Sequence, residues 1–198
     1  MSLNPVIIAT SGANLASLTF ALKRLAVHPQ LTEDPGVVMK ASHVILPGVG
    51  AALDAIKRLD SIGLREVITD LTQPLLGICL GMQLLFSGSD EGDAQCLGVI
   101  NGQAHRFKKQ ALLPVPQMGW NQLHLVGESP LLNGISEGSY VYFIHSYAIP
   151  EGSYTRASCS YGEQFSAVVQ QDNFYGTQFH PERSGKLGAQ LLSNFLNL

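Results

Sequence analysis

The sequence predicts an α/β protein: a mostly parallel central sheet flanked by helices, followed by a β-rich C-terminal half. Two observations carry this. Three strand–turn–helix units follow one another in the first hundred residues, and beyond residue 97 the texture changes to short segments separated by turn residues. In the first unit "VIIAT" (6–10) is a β-branched apolar run closed by Ser11-Gly12, and Leu15, Leu18, Leu22 and Leu25 then recur at helical spacing. "HVILPG" (43–48) leads into a second helix near Ala51 to Leu59, and "PLLGI" (74–78) into a third over Leu80 to Phe86. Strands joined through helices run parallel, and ligands of such sheets sit beyond the carboxyl ends of the strands. Gly12, the Gly48–Gly50 turn and Cys79 fall at those ends, so three turns point at one crevice.

The second half reads as hairpins and meanders: "GVINGQAHRF", "NQLHLV", "SYVYFIHSYA", "YTRASCSY", "SAVVQQ" and "NFYGTQF" are divided by Gly, Pro, Asn and Asp. A last helix, Gly185 to Leu198, carries Leu187, Leu191, Leu192 and Phe195 on one face. Asp93 to Leu97 is the expected seam, but no linker is evident, and residues 1–198 are read as one domain.

Twelve basic against fifteen acidic residues, a formal charge of −3, provide no broad attraction for a phosphate backbone or an anionic membrane. Neither nucleic acid nor membrane is expected as a partner. The basic run His105-Arg106-Phe107-Lys108-Lys109 reads as a solvated strand end. Apolar runs stay far below the roughly 20 residues that span a bilayer. Three cysteines without a CxxC pair fit a reducing cytoplasm, and no set of His, Cys and carboxylates has metal-ligand spacing. No metal and no cofactor is expected.

Cys79 lies in "LLGICLGMQLLF" (75–86), between a strand ending at Ile78 and a helix starting at Leu80. That junction is a sharp turn, with Gly77 and Gly81 permitting the crowding. The sulfur would sit at the helix N-terminus, where the dipole favours a thiolate and free N–H groups can bind an oxyanion. A buried cysteine acting as a small hydrophobe suits the position as well, and is the reading given to Cys96 and Cys159.

A thiol nucleophile needs a base. Of six histidines only His180 carries its own orienter, in "GTQFHPERS" (176–184). An extended His-Pro-Glu would put His180 and Glu182 on one side, because strand residues two apart share a face. Glu182 would then fix the imidazole tautomer. "LPGVG" (46–50) supplies a glycine-rich turn whose N–H groups at Val49 and Gly50 can turn inward beside that of Leu80, as an oxyanion hole requires.

With these pieces together the chain resembles the class I, triad-type glutamine amidotransferases, whose GxCxGxQ elbow is matched by Gly77-Ile78-Cys79-Leu80-Gly81-Met82-Gln83. Within that family "SGANL" (11–15), "LPGVG", "PQMGWN" (116–121), "YFIHSYA" (142–148), "SYGEQF" (160–165) and "FYGTQFHPERSG" (174–185) resemble the glutaminase subunits of imidazole glycerol phosphate synthases. The resemblance implies the amidotransferase fold. It also implies L-glutamine as substrate and a (β/α)8 barrel cyclase as partner in a heterodimer, in which the ammonia is used for histidine biosynthesis. By it, Cys79 attacks the carboxamide, His180 relays protons and Glu182 orients it. Val49, Gly50 and Leu80 hold the oxyanion, and Gly48, Gln83, Ser146 and Tyr147 line the glutamine pocket. Asn14, Trp120, Asn121, Tyr142, His145 and Arg183 lie toward the partner.

Three positions depart from the family pattern: Ala9 where an acidic residue is common, Gln117 where histidine is, and Arg183 where lysine is. Plainer readings also exist. The single tryptophan suits a core cluster, Asn14 suits a helix N-cap, Gln83 suits a helix surface, and strand alternation would bury one of Tyr142 and His145. A stand-alone cysteine hydrolase of similar fold and a non-catalytic module of the same fold remain as alternatives. The long run of matching segments argues against the first, and the intact Cys79, His180 and Glu182 against the second.

Overall fold

The computed structural model describes residues 3–9 and 15–198; Ser11, Gly12 and Asn14 fall outside the described residues. The first half runs β1 (Pro5–Ile8), α1 (Leu15–Arg24), β2 (Gln30–Thr32), α2 (Pro35–Met39), β3 (His43–Gly48), α3 (Ala52–Ser61), α4 (Leu64–Thr69), β4 (Leu75–Cys79) and α5 (Leu80–Leu84). The second half adds β5 (Phe86–Ser89), β6 (Ala94–Gln95), β7 (Ile100–Arg106), β8 (Gln117–Gln122), β9 (His124–Leu125), β10 (Tyr140–His145), β11 (Tyr147–Ala148), β12 (Thr155–Ser160), β13 (Gln164–Gln171), β14 (Phe174–Thr177) and α6 (Gly185–Leu196). The main sheet has eight strands in the order β2-β1-β3-β4-β14-β13-β12-β9. Its β2, β1, β3, β4 and β14 are parallel, and β13, β12 and β9 continue it in antiparallel fashion. No helix of the described residues is long and apolar enough to cross a membrane.

Every residue of β1, β3, β4 and β14 is buried, as expected of parallel strands covered on both faces. Alternation divides their side chains between two apolar clusters. Ile7, Ile45 and Leu76 face α1 and α6 through Leu18, Leu22, Leu191 and Phe195. Val6, Ile8, Val44 and Leu46 face α3 and α4 through Ile56, Leu59, Leu64 and Ile68.

Several elements differ from the sequence reading. The first strand closes at Ile8. The helix after Cys79 stops at Leu84, and the apolar run continues as β5 because Phe86 pairs with Ile100 in the sheet of β11, β7, β5 and β6. Asp93 to Leu97 is no seam, for Ala94, Cys96 and Leu97 are buried in the second cluster.

The junction of β3, β4 and α5 is set by backbone contact. A Cβ on Gly48 would lie 2.7 Å from the Gly81 nitrogen, one on Gly77 would lie 2.6 Å from the Gly81 oxygen, and one on Gly81 would overlap the Leu46 carbonyl. These three glycines let the start of α5 rest directly on the ends of two strands, which places residue 79 at the crevice. Backbone cannot yield to an added methyl as a flexible side chain can. Gly81→Ala is therefore expected to cost roughly 3 kcal/mol or more of stability, measured by urea denaturation, or to prevent folding outright.

Candidate active site

Cys79 is the last residue of β4 and immediately precedes α5, so the chain reverses from strand to helix within one residue. It does so at φ 55° and ψ −112°, a region that disfavours side chains with a Cβ. The five-residue α5 is shorter than the predicted helix and supplies correspondingly less dipole to the sulfur. The side chain is 7% exposed. Its thiol donates to the Ile144 carbonyl at 3.7 Å, and the sulfur accepts from Gln178 Nε2 at 3.7 Å.

The base arrives from the neighbouring strand. β14 pairs with β4 in parallel with Thr177 opposite Ile78, so residues just beyond Thr177 emerge beside Cys79. His180 is pinned at its backbone: its N–H donates to the Tyr142 carbonyl at 3.0 Å, and its carbonyl accepts from Ser184 Oγ at 2.8 Å. The same Ser184 oxygen accepts from the Tyr142 N–H at 3.0 Å.

His180 Nδ1 and Glu182 Oε1 are 2.9 Å apart, and the two side chains are 9% and 6% exposed. The backbone reaches this pairing differently from the extended form expected from sequence. Pro181–Arg183 is a turn of 3₁₀ helix with Pro181 at its first position, a place proline favours. A Cβ on Gly188 of α6 would overlap the Pro181 carbonyl, so α6 clamps this turn.

Burial opposes charge on the His180 imidazole, but the adjoining Cys79 sulfur and Glu182 carboxylate outweigh it and raise its pKa to about 10. His180 Nε2 is buried and makes no hydrogen bond.

Around them lies a cavity of about 460 Å3, within the range of small-molecule sites. Cys79, His180 and Glu182 line it together with Val49, Gly50, Leu80, Gln83, Ser146, Tyr147, His145 and Arg183. Gly48 is the exception among the predicted pocket residues, because its place is filled by the α5 backbone. Gln83 reaches the wall, but its Nε2 already donates to the Tyr147 carbonyl at 2.8 Å and to Gln178 Oε1 at 2.9 Å.

The sequence reading missed three residues here. Glu91 lines the cavity and accepts from the Ala52 N–H at 2.9 Å, capping α3. Ser184 holds the histidine turn, and Gln178 touches the sulfur. The two-residue spacing that singled out Glu182 from His180 applies equally to Gln178, and is the signal that was available.

The predicted partner-facing residues separate. On β10, Tyr142 lies on the open face and Val141, Phe143 and His145 on the buried one. His145 packs against Phe107, Phe143 and Phe165, so it belongs to the interior and the cavity wall, not to an exposed surface. Its Nδ1 donates to the Tyr147 carbonyl at 2.8 Å, and its Nε2 is buried without a partner. Across from Tyr142 on β8, Trp120 is 57% exposed and meets it edge to face. Arg183 lies over the Tyr142 ring at 5.4 Å. Asn121 is half-buried, its amide donating to the Ser160 carbonyl and its oxygen accepting from the Gln122 N–H. Asn14 lies outside the described residues. Burial pushes the Cys96 thiol up to about 11 and the Cys159 thiol up to about 12, as suits inert core residues.

A sulfur at a strained elbow, a buried histidine with its carboxylate, and a cavity open to both can perform acyl transfer through a thioester. The family description "Glutamine amidotransferase class-I" matches residues 14–198. The chain belongs to that family. An amidotransferase relative from Legionella pneumophila, named imidazole glycerol phosphate synthase subunit HisH 2, is 54% identical over 192 residues, covering 97% of this chain and 96% of its own length. A second, from Vibrio cholerae and named imidazole glycerol phosphate synthase subunit HisH, is 48% identical over 204 residues, the full length of each chain. Among solved structures, a glutamine amidotransferase from Thermotoga maritima superposes with a TM-score of 0.65 at 17% identity, covering 100% of this amidotransferase and 84% of that chain. At that identity it speaks for the fold.

His145 is expected to make the amidotransferase's stability sensitive to acid. Burial first, and then the neighbouring charge of His180, lower its pKa from 6.5 to about 4, against the hydrogen bond to Tyr147. A folded-state value below the unfolded one means that the stabilisation is complete above the unfolded value and is lost as pH falls through the folded one. Unfolding free energy is therefore expected to drop between pH 6.5 and pH 4, by roughly 3 kcal/mol from this group. Urea melts across that range should show the loss, and His145→Gln should flatten it.

Proposed function

We propose that the chain is the glutaminase subunit of an imidazole glycerol phosphate synthase, releasing ammonia from L-glutamine for a (β/α)8 barrel cyclase. The single observation that carries the chemistry is Cys79 on its positive-φ elbow, lining one cavity with the buried His180–Glu182 pair. The relatives' names support the choice of synthase. In this reading His180 Nε2 takes the thiol proton while Glu182 holds Nδ1. Sulfur bonds to the carboxamide carbon, and the oxygen's new charge is met by peptide N–H groups at Leu80 and at Val49 or Gly50. The carbon–nitrogen bond then breaks as His180 returns the proton to nitrogen, leaving ammonia and a thioester. Water gives a proton to His180 and bonds to the thioester carbon; the carbon–sulfur bond then breaks, the sulfur takes that proton back from His180, and glutamate departs.

The carboxylate of Glu91 on the cavity wall suits the α-ammonium group of an amino-acid substrate. The exposed Trp120 and the half-buried Tyr142 form an aromatic face suited to the cyclase, with Arg183 bridging that face and the cavity. The same reading takes residues 1–198 as one amidotransferase domain, supported by two apolar clusters that each draw on both halves of the chain. A stand-alone cysteine hydrolase would need no such face.

Cys79→Ala is expected to abolish glutamine-dependent imidazole formation with the cyclase, by at least about 1,000-fold, while synthesis from free ammonium salts continues. Glutamine-driven synthesis that survived the change would refute the nucleophile. Trp120 is the only tryptophan of the sequence, so its fluorescence reports this face selectively. Titrating the chain, at 57% exposure of Trp120 before binding, with a tryptophan-free cyclase should shift the emission to the blue. An unchanged spectrum at saturating cyclase would remove Trp120 from the interface.

A further inference from the structure

We infer that Gln178 is a positioning residue for the nucleophile, its carboxamide N–H fixed toward the Cys79 sulfur by a buried hydrogen-bond chain that begins at the Tyr147 carbonyl. The inference rests on the reading of Cys79 as nucleophile and adds what holds its sulfur ready.

The polarity of the chain follows from its first member. A carbonyl oxygen only accepts, so the Gln83 group facing Tyr147 must be the NH2, and the structure has Nε2 donating there at 2.8 Å. The second N–H on the same nitrogen points at Gln178, which must then present its oxygen, at 2.9 Å. With its oxygen engaged, Gln178 is left with its NH2 toward sulfur, at 3.7 Å. Rotating either amide by half a turn would set NH2 against NH2 or oxygen against oxygen. The Tyr147 carbonyl is itself held by His145 Nδ1 at 2.8 Å. Gln83 is 3% and Gln178 0% exposed, so water does not compete for these bonds.

The chemical effect comes from the two groups on either side of the sulfur. The Ile144 carbonyl, 3.7 Å away, accepts from the thiol and would repel a thiolate. The Gln178 N–H favours the thiolate. The titratable groups facing the sulfur are His180 with Glu182 behind it; His145 acts on His180, and Glu91 and Arg183 stand on the cavity wall. Among these Gln178 is the neutral donor, able to hold the sulfur while His180 passes its proton to the leaving nitrogen. Gln83, assigned to the substrate from its motif, is by this chain the orienter of Gln178.

The test is alkylation of Cys79 by iodoacetamide in the full chain, followed by mass spectrometry of the Cys79 peptide from pH 6 to pH 10. Gln178→Leu is expected to slow modification about tenfold near neutral pH. Gln178→Glu, which keeps the shape but turns oxygen toward the sulfur, should slow it at least as much. Gln83→Leu should slow it about threefold, because Gln178 loses its orienter. Glutaminase kcat should fall in the same order with KM little changed. A packing role alone would lower the melting temperature and leave the alkylation profile that of the parent; that result in Gln178→Glu and Gln83→Leu would overturn the inference even if Gln178→Leu failed to fold. Failure of the underlying reading looks different: the unsubstituted chain would keep its glutaminase activity after Cys79 is fully alkylated.

Discussion

The site depends on backbone resting on backbone. At Gly48, Gly77 and Gly81 the ends of two parallel strands and the first turn of a helix approach more closely than any side chain allows. That contact keeps the chain at residue 79 in a conformation it would not choose alone, and the strain is borne by the surrounding parallel strands, all buried and covered on both faces. A looser junction would let Cys79 relax into ordinary strand geometry and turn its sulfur into the core, where Cys96 and Cys159 already lie.

On this frame the polar groups are organised by a few fixed acceptors. The Tyr147 carbonyl takes bonds from His145 and Gln83, and the Tyr142 carbonyl takes the N–H of His180 while its own N–H reaches Ser184. Both carbonyls belong to the same β10–β11 segment. The segment therefore sets the histidine from one side and the sulfur's neighbour from the other, while the alternate residues of β10 face outward beside Trp120. Side chains that look unrelated along the sequence are coupled through it.

Much of this was legible in the residues. The apolar runs marked β1, β3 and β4, the glycines flanking Cys79 marked the elbow, and His180 with Glu182 stood out by spacing. Errors arose where a local pattern was ambiguous. "LLF" after Gln83 continues a helical pattern equally well as helix or as strand, and only the pairing of Phe86 with Ile100 decides. The short α2 has too few apolar positions to show a helical period, although Asp34 caps it and Pro35 opens it, both readable start signals. Pro181 turned the His-Pro-Glu segment into a 3₁₀ turn, yet the predicted contact formed. Glu91 acquires meaning only from Ala52, 39 positions away, which no local pattern contains, whereas Gln178 and Ser184 lie within four residues of His180 and gain their roles from what that turn packs against. His145 shows the reverse: its segment matched a partner-facing motif, while alternation along β10 committed it to the aromatic interior.

The pairing of β4 with β14 has a further consequence. The contact between Gln178 and Cys79 spans 99 positions of sequence, and the strand that delivers the histidine lies between β4 and β13 although it follows both along the chain. Until that strand pairs the sheet has a gap at its centre and the sulfur lacks both its donor and its base. A partly folded chain in which β14 has not paired with β4 thus carries a thiol without its neighbours, and the grouping of Cys79, Gln178 and His180 is a property of the closed sheet.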